Sequence, residues 1–412
     1  MTNLSPGFKS YPKAGVISVM EEAAKHGFSY TSTDWSNLGQ GGPELADIEG
    51  CVPRINQITL TNANHGYAPV PGLPELREKV AQLYNSTFRK NHSEQYTASN
   101  VLIGAGGRLV LSRIIGSLGN VKLGFFNPDY ASYQGIMKVF NNVEPVEYRL
   151  DAACDFVLDL SDLEKFIVKE KIQAFLISNP SNPTGNVIQA EQLSKLIELA
   201  KKYQFSLILD EFYFNHIYSD SNNGLVSSAA FIDDINQTPV IIVAGLSKAF
   251  RYPGWRLCWA IGPEQTIENI SSLSSFLDGG ASHPIQVASL PLINNECLAQ
   301  ETVAIHKRYK AKRDFMMSEL DELGLSYTKP DGAFYIWVNL SSLPESLKDG
   351  YSFFQAGLKQ KVIVVPGEFF DLRSGVERSE NLYKSYIRLS FSPSFDEVEE
   401  GMRKLGAVIR RQ

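Results

Sequence analysis

AGLSKAFRYPGWRLCW, Ala244 to Trp259, places a lysine just beyond an apolar strand and an arginine eight residues further on. Val240, Ile241, Ile242 and Val243 lead into it as a short β-branched run, the pattern of a fully buried strand. In open α/β sheets, ligands collect at the ends of such strands. Lys248 is followed by Phe250, Tyr252 and Trp255, apolar bulk that can keep water off its amine. A desolvated lysine gives up its proton more readily, which leaves a nucleophile able to form a Schiff base. Arg256 suits a phosphate. Read alone, the same residues also fit a surface loop that carries one lysine and one arginine.

Upstream, strand, turn and helix alternate from about Val101 to Gly262, which predicts a mainly parallel sheet with helices on both faces. Val101–Ile115 (VLIGAGGRLVLSRII) reads as a strand, a glycine turn and a helix whose free N–H groups make an anion site. A dinucleotide fingerprint is the rival reading, but Leu109 stands where GxGxxG needs its third glycine. Ala105, Gly106 and Gly107 fit a phosphate cradle better. The strand Val121–Phe126 runs into Asn127-Pro-Asp-Tyr130. Ile172–Ser178 is a buried strand entering NPSNPTG (Asn179–Gly185), a loop fixed by two prolines and a glycine. The helix Ala190–Tyr203 returns the chain to a strand over Phe205–Leu209, followed by DEFY at Asp210–Tyr213.

Both chain ends predict a second, smaller α/β domain, residues 1–55 with 320–412, beside a large domain of residues 56–319. Gly15–Gly27 has helical apolar spacing closed by a glycine. Trp35–Pro43 is a glycine-rich loop that can approach a ligand closely. Asn64–Val80 gives way to a helix near Leu73, with Pro74 in its first turn. A long helix over about Glu296–Leu323 links the two bodies, and Ala333–Leu340, Val362–Val365 and Tyr386–Phe391 read as strands. Arg388 lies among apolar neighbours, an expensive place for a charge without an anionic partner.

A net charge of −6 with scattered Lys and Arg argues against nucleic acid or anionic membranes as partners. Charged residues at 20% and hydrophobic residues at 43% suit a folded globular chain. Cys51, Cys154, Cys258 and Cys297 are too far apart for a CxxC metal site or a dense disulfide framework, so free thiols are expected. The six histidines form no HExxH-type pair, and no metal is expected. The polar, proline-broken start MTNLSPGFKSYPK is no signal peptide, and no apolar run reaches the roughly 18 residues of a membrane span. A cytoplasmic protein is expected.

NPSNPTG, DEFY and SKxxxxxGxR, in that order, resemble the fold-type I pyridoxal-phosphate enzymes, specifically the class I/II aminotransferase family. The resemblance runs from Asn37 to about Phe391. It implies that Lys248 carries pyridoxal 5'-phosphate as a Schiff base and that Asp210 faces the pyridine nitrogen. It also implies that Tyr213 and Asn182 bond the phenolic oxygen and that Tyr130 stacks on the ring. Ala105, Gly106, Gly107, Ser247 and Arg256 would hold the phosphate. Gly39 matches the substrate loop, Asn182 also lies near the substrate carboxylate, and Arg388 matches the arginine that grips the α-carboxylate. Tyr67 matches a tyrosine that reaches the phosphate of a neighbouring subunit, which implies a homodimer with shared sites.

Two departures stand out. Gly245 replaces a serine found three residues before the lysine in many relatives, and Arg108 is a candidate to rebuild the phosphate grip. In an ungapped placement from Ser282-His283-Pro284, Asp278 stands where dicarboxylate-specific relatives place an arginine from the partner subunit, so a basic or hydrogen-bonding donor is expected there rather than aspartate. Trp35, Tyr130 and Phe276 would instead favour an apolar or aromatic one. The expected activity is transamination between an amino acid and a 2-oxo acid. Fold and Schiff base leave open a synthase, lyase or oxidase acting on an amino acid with the same cofactor. A ligand-sensing regulator is the third reading, and no basic helix-turn-helix segment accompanies it.

Overall fold

The computed structural model describes residues 5–11, 13, 15–219 and 224–410. Residues 1–4 and 12, part of the polar N-terminal reading, lie outside them. The larger sheet has seven strands: β1 (Val101–Gly104), β2 (Val121–Asn127), β3 (Val143–Arg149), β4 (Ala174–Ser178), β5 (Ser206–Asp210), β6 (Val240–Gly245) and β7 (Cys258–Ile261). Their order is β1-β7-β6-β5-β4-β2-β3. Only β7 runs against its neighbours, pairing antiparallel with both β1 and β6. Every residue of β4, β6 and β7 is buried, as continuous apolar runs covered on both faces require. The expected strands and helices fall within a few residues of their predicted limits, and the helix Ala190–Tyr203 matches at both ends.

A second, four-stranded antiparallel sheet lies in the C-terminal third. Its strands are β8 (Ser326–Thr328), β9 (Tyr335–Asn339), β10 (Val365–Pro366) and β11 (Tyr386–Ser390), in the order β10-β11-β9-β8. The N-terminal segment joins it. Ser36 and Asn37 pair in parallel with Val362 and Ile363, and the Ser390 amide donates to the Leu38 carbonyl at 2.7 Å. The helix Asn295–Glu322 runs unbroken, and the expected boundary at 319/320 falls inside it. Among the described residues no helix is long and apolar enough to cross a membrane, and no group of His, Cys, Asp or Glu could hold a metal ion. The four cysteines are unpaired.

In β1, β2, β4, β5 and β6 the C-terminal ends share one edge of the large sheet. The residues that follow those ends therefore converge: the glycine turn after β1, Tyr130 after β2, Asn182 after β4, Asp210 closing β5 and Lys248 after β6.

Candidate active site

At that edge lies a cavity of about 440 Å³, walled by the large sheet on one side and by Arg388 and Tyr335 of the smaller sheet on the other. Lys248 sits in a one-turn helix, Leu246–Ala249, between β6 and β7. The segment is held from behind by the buried ion pair of Arg251 with Glu301, Nε to Oε2 at 3.0 Å, and by the Tyr252 amide bonded to the Leu246 carbonyl. The Lys248 amine donates to the Gly41 carbonyl. Burial, and then the guanidinium groups of Arg388, Arg256 and Arg108, lower its pKa to about 7.

This shift fixes a sign. Without a ligand, the folded chain keeps Lys248 neutral down to about pH 7, whereas the unfolded chain protonates it below about 10.5. Between those limits the unfolded state binds more protons, so this group's contribution to stability rises with pH and is most unfavourable below 7. Lys248→Met should therefore raise the melting temperature of the cofactor-free protein by a few degrees near pH 6.5, on the order of a few kcal/mol, with the gain shrinking toward pH 10. Melting curves of both proteins at the two pH values test this. A gain independent of pH contradicts it.

Asp210 is buried in the cavity wall, where the Tyr133 hydroxyl donates to its Oδ2 at 2.8 Å and the Phe212 amide to its Oδ1 at 3.4 Å. Burial raises its pKa to about 6 against the pull of those bonds and of Lys248. A cationic ring nitrogen opposite it would hold it ionised.

Across the cavity, Arg388 is buried in β11. Its Nη1 donates to the Asn182 side-chain oxygen and its Nη2 to the Gly39 carbonyl, each at 2.9 Å, while Nε is buried without a partner. A guanidinium satisfied only by neutral acceptors, with a spare donor, suits an incoming carboxylate. Asn182 accepts through its oxygen, which leaves its amide N–H groups to donate. The Tyr213 and Tyr335 hydroxyls bond each other at 2.8 Å.

Gly107, Ser247 and Arg256 line the remaining wall, and Gly107 begins the helix Gly107–Ser117. Gly106 caps that helix at φ 97°, and a Cβ there would lie 2.1 Å from Arg256 Nη2, so only glycine lets the guanidinium approach. The glycine at 245 has a packing cause. A Cβ would fall 2.5 Å from Cys258 Cβ across the β6–β7 pair, so no serine fits. Arg108 lines the cavity and donates from Nε to the Tyr130 hydroxyl at 3.0 Å, which ties it to the aromatic residue.

Of the expected residues, Lys248, Asp210, Tyr213, Gly107, Tyr130, Asn182, Ser247, Arg256 and Arg388 line one cavity. Ala105 and Gly106 form the turn behind it, and Gly39 contributes through its carbonyl on Arg388. Tyr67 is fully exposed and away from it. Asp278 bonds the buried Arg113 through both its oxygens, at 2.6 and 3.0 Å, and is not among the residues that line this chain's own cavity. Trp35 is buried against Phe28 and Phe276 is exposed, and neither lines this chain's cavity. Gly41, Phe212, Tyr335, Val16 and Leu111 line the cavity without having been expected. Gly41 and Phe212 were within reach, since they lie in the glycine-rich loop and the DEFY stretch; the others carry no local signal.

The family described as aminotransferase class I and II matches residues 33–405. The chain is 30% identical over 377 residues to the probable aspartate/prephenate aminotransferase of Aquifex aeolicus, covering 90% of each. It is 26% identical over 383 residues to the aromatic-amino-acid aminotransferase 2 of Thermococcus litoralis, covering 91% of this chain and 92% of that one. Among solved structures, the aspartate aminotransferase of Thermus thermophilus with maleate superposes with a TM-score of 0.79 at 24% identity, over 99% of this chain and all of that one.

Proposed function

Because the chain belongs to the class I and II aminotransferases, pyridoxal-phosphate-dependent transaminases acting on amino acids and 2-oxo acids, we propose that Lys248 holds the cofactor in this cavity. One observation carries the reading: a lysine amine with its pKa lowered to about 7 shares a cavity with a buried carboxyl and a buried arginine. The donor set fits the group: an amine for its aldehyde, an acid for its ring nitrogen, and a helix start with Ser247 and Arg256 for its phosphate. When bound, the cofactor supplies an electron-withdrawing ring and a carbon that carries the amino group.

Asp210 keeps the ring nitrogen protonated. Gly106, Gly107, Ser247 and Arg256 anchor the phosphate, with Ala105 shaping the turn, and Tyr130 covers the ring. Tyr213 and Asn182 donate to the phenolic oxygen. Arg388, aided by Gly39 and Asn182, binds the substrate α-carboxylate and so orients the α-carbon. The Lys248 amine, whose lowered pKa suits it to act near neutral pH, would take and return the proton of the substrate α-carbon that Arg388 orients.

The loaded protein, given one amino acid and no oxo acid, should release one equivalent of the matching oxo acid per chain and retain the nitrogen. Release of ammonia or peroxide would favour the synthase, lyase or oxidase reading instead.

The proposal extends to a homodimer. Ile58, Leu60, Tyr67, Phe276 and Leu277 are exposed apolar residues, and their segments meet where His283 Nδ1 lies 2.9 Å from the Gly66 carbonyl and Gly280 packs on Val70. Tyr67 would then reach the phosphate in the partner's site. Mixing Lys248→Ala chains with Tyr67→Phe chains should restore intact sites, roughly a quarter of the total after random reassortment. No recovery, with unaltered cofactor affinity in Tyr67→Phe, would remove the shared site. The two-domain division expected from the sequence is also proposed, with its second boundary after Glu322, where the linking helix ends. Four unpaired cysteines support a reducing, cytoplasmic setting.

A further inference from the structure

Tyr335 is the first residue of β9 and belongs to the smaller sheet, yet its hydroxyl bonds Tyr213, which follows the end of β5 in the larger one. The register explains why it also meets Arg388. Trp337 pairs directly with Arg388 across β9 and β11, and Tyr335 lies two residues along on the same face, a diagonal neighbour. Its ring centroid is 4.1 Å from the Arg388 guanidinium carbon. At that distance, away from water, an aromatic face attracts the cation and fixes its plane. Tyr335 is 1% exposed and lines the cavity, so ring and hydroxyl are both held in place.

We infer that Tyr335 is a positioning residue with two separable tasks: its ring sets the plane of Arg388 for the substrate carboxylate, and its hydroxyl aims the Tyr213 hydroxyl at the bound cofactor. The inference rests on the proposed roles of Lys248, Tyr213 and Arg388. A hydroxyl that accepts one hydrogen bond becomes a better donor in another, because chains of such bonds polarise one another. Either hydroxyl can donate in the Tyr213–Tyr335 bond; once Tyr213 donates into the cavity, Tyr335 is left to donate to Tyr213 and strengthens that bond. The Tyr335 ring lies against Arg388 and its hydroxyl on Tyr213, so one side chain links the two ends of the site.

The two tasks come apart by substitution. Tyr335→Phe keeps the ring and removes the hydroxyl, whereas Tyr335→Leu removes both. Wild type is first loaded with pyridoxal phosphate, and the pH titration of its visible absorbance is recorded. In Tyr335→Phe, weaker donation to the phenolic oxygen stabilises its anion less, so the midpoint should rise by about 0.5 pH unit, with KM for the amino acid within about twofold of wild type. In Tyr335→Leu, KM should also rise about tenfold as the cation loses its aromatic face. Tyr213→Phe should move the midpoint further, and adding Tyr335→Phe to it should change nothing more.

A midpoint in Tyr335→Phe equal to wild type, or a further shift on the Tyr213→Phe background, overturns the hydroxyl's task. An unchanged KM in folded Tyr335→Leu overturns the ring's. Should Tyr335→Leu fail to fold, Tyr335→Met, which fills the space without an aromatic face, gives the same reading of KM. A wild type that loads no cofactor overturns the underlying site assignment and this inference with it. A loaded wild type beside an unresponsive Tyr335→Phe overturns the inference alone.

Discussion

Lys248→Ala lowers kcat for transamination at least about a thousandfold, the scale on which a positioned proton-transferring group contributes. Among the described residues lining the cavity, Lys248 is the only lysine. Folding is not at risk, because the substitution removes a charge that burial disfavours. The space left is open cavity, so an added primary amine of small size should restore part of the rate. Steady-state kinetics with and without methylamine check both statements. A rate within tenfold of wild type would move the chemistry to another residue.

Asp210→Ala lowers kcat about a hundredfold or more, while cofactor still binds through the phosphate contacts on the opposite wall. The carboxyl closes β5, buried, with Tyr133 donating to it at 2.8 Å. Two effects follow from its loss. The ring nitrogen loses the anion that keeps it protonated, and the Tyr133 hydroxyl loses its acceptor, which costs about 1–3 kcal/mol of stability. Asp210→Asn separates them, since an amide preserves an acceptor for Tyr133 but cannot carry the negative charge. Comparable rate losses in both variants identify the charge as the cause. A near-normal rate in Asp210→Asn would assign Asp210 a packing role instead.

The residues legible in the sequence are those that follow strand ends. Lys248, Asp210 and Asn182 each stand at the end of an apolar run or within four residues of it, and a parallel sheet brings such ends to one edge whatever the details of packing. Arg388 was legible for another reason, as a charge inside a buried strand. Tyr335 was not, because its role depends on the β9–β11 register and on the approach of two sheets distant in sequence. Asp278 shows the converse. Its ion pair could not be read by counting along the loop, since the fold delivers it to Arg113 on a helix 165 residues away in sequence. Gly245 could be read as a departure but not explained, since its cause, the Cys258 side chain, lies across a strand pair.

The most direct measurement is to load the purified protein with pyridoxal phosphate, reduce it with borohydride, digest it and locate the modified lysine by mass. The account predicts one label per chain, on the peptide that contains Lys248. A label confined to any other lysine, or a protein that takes up no cofactor, would contradict it.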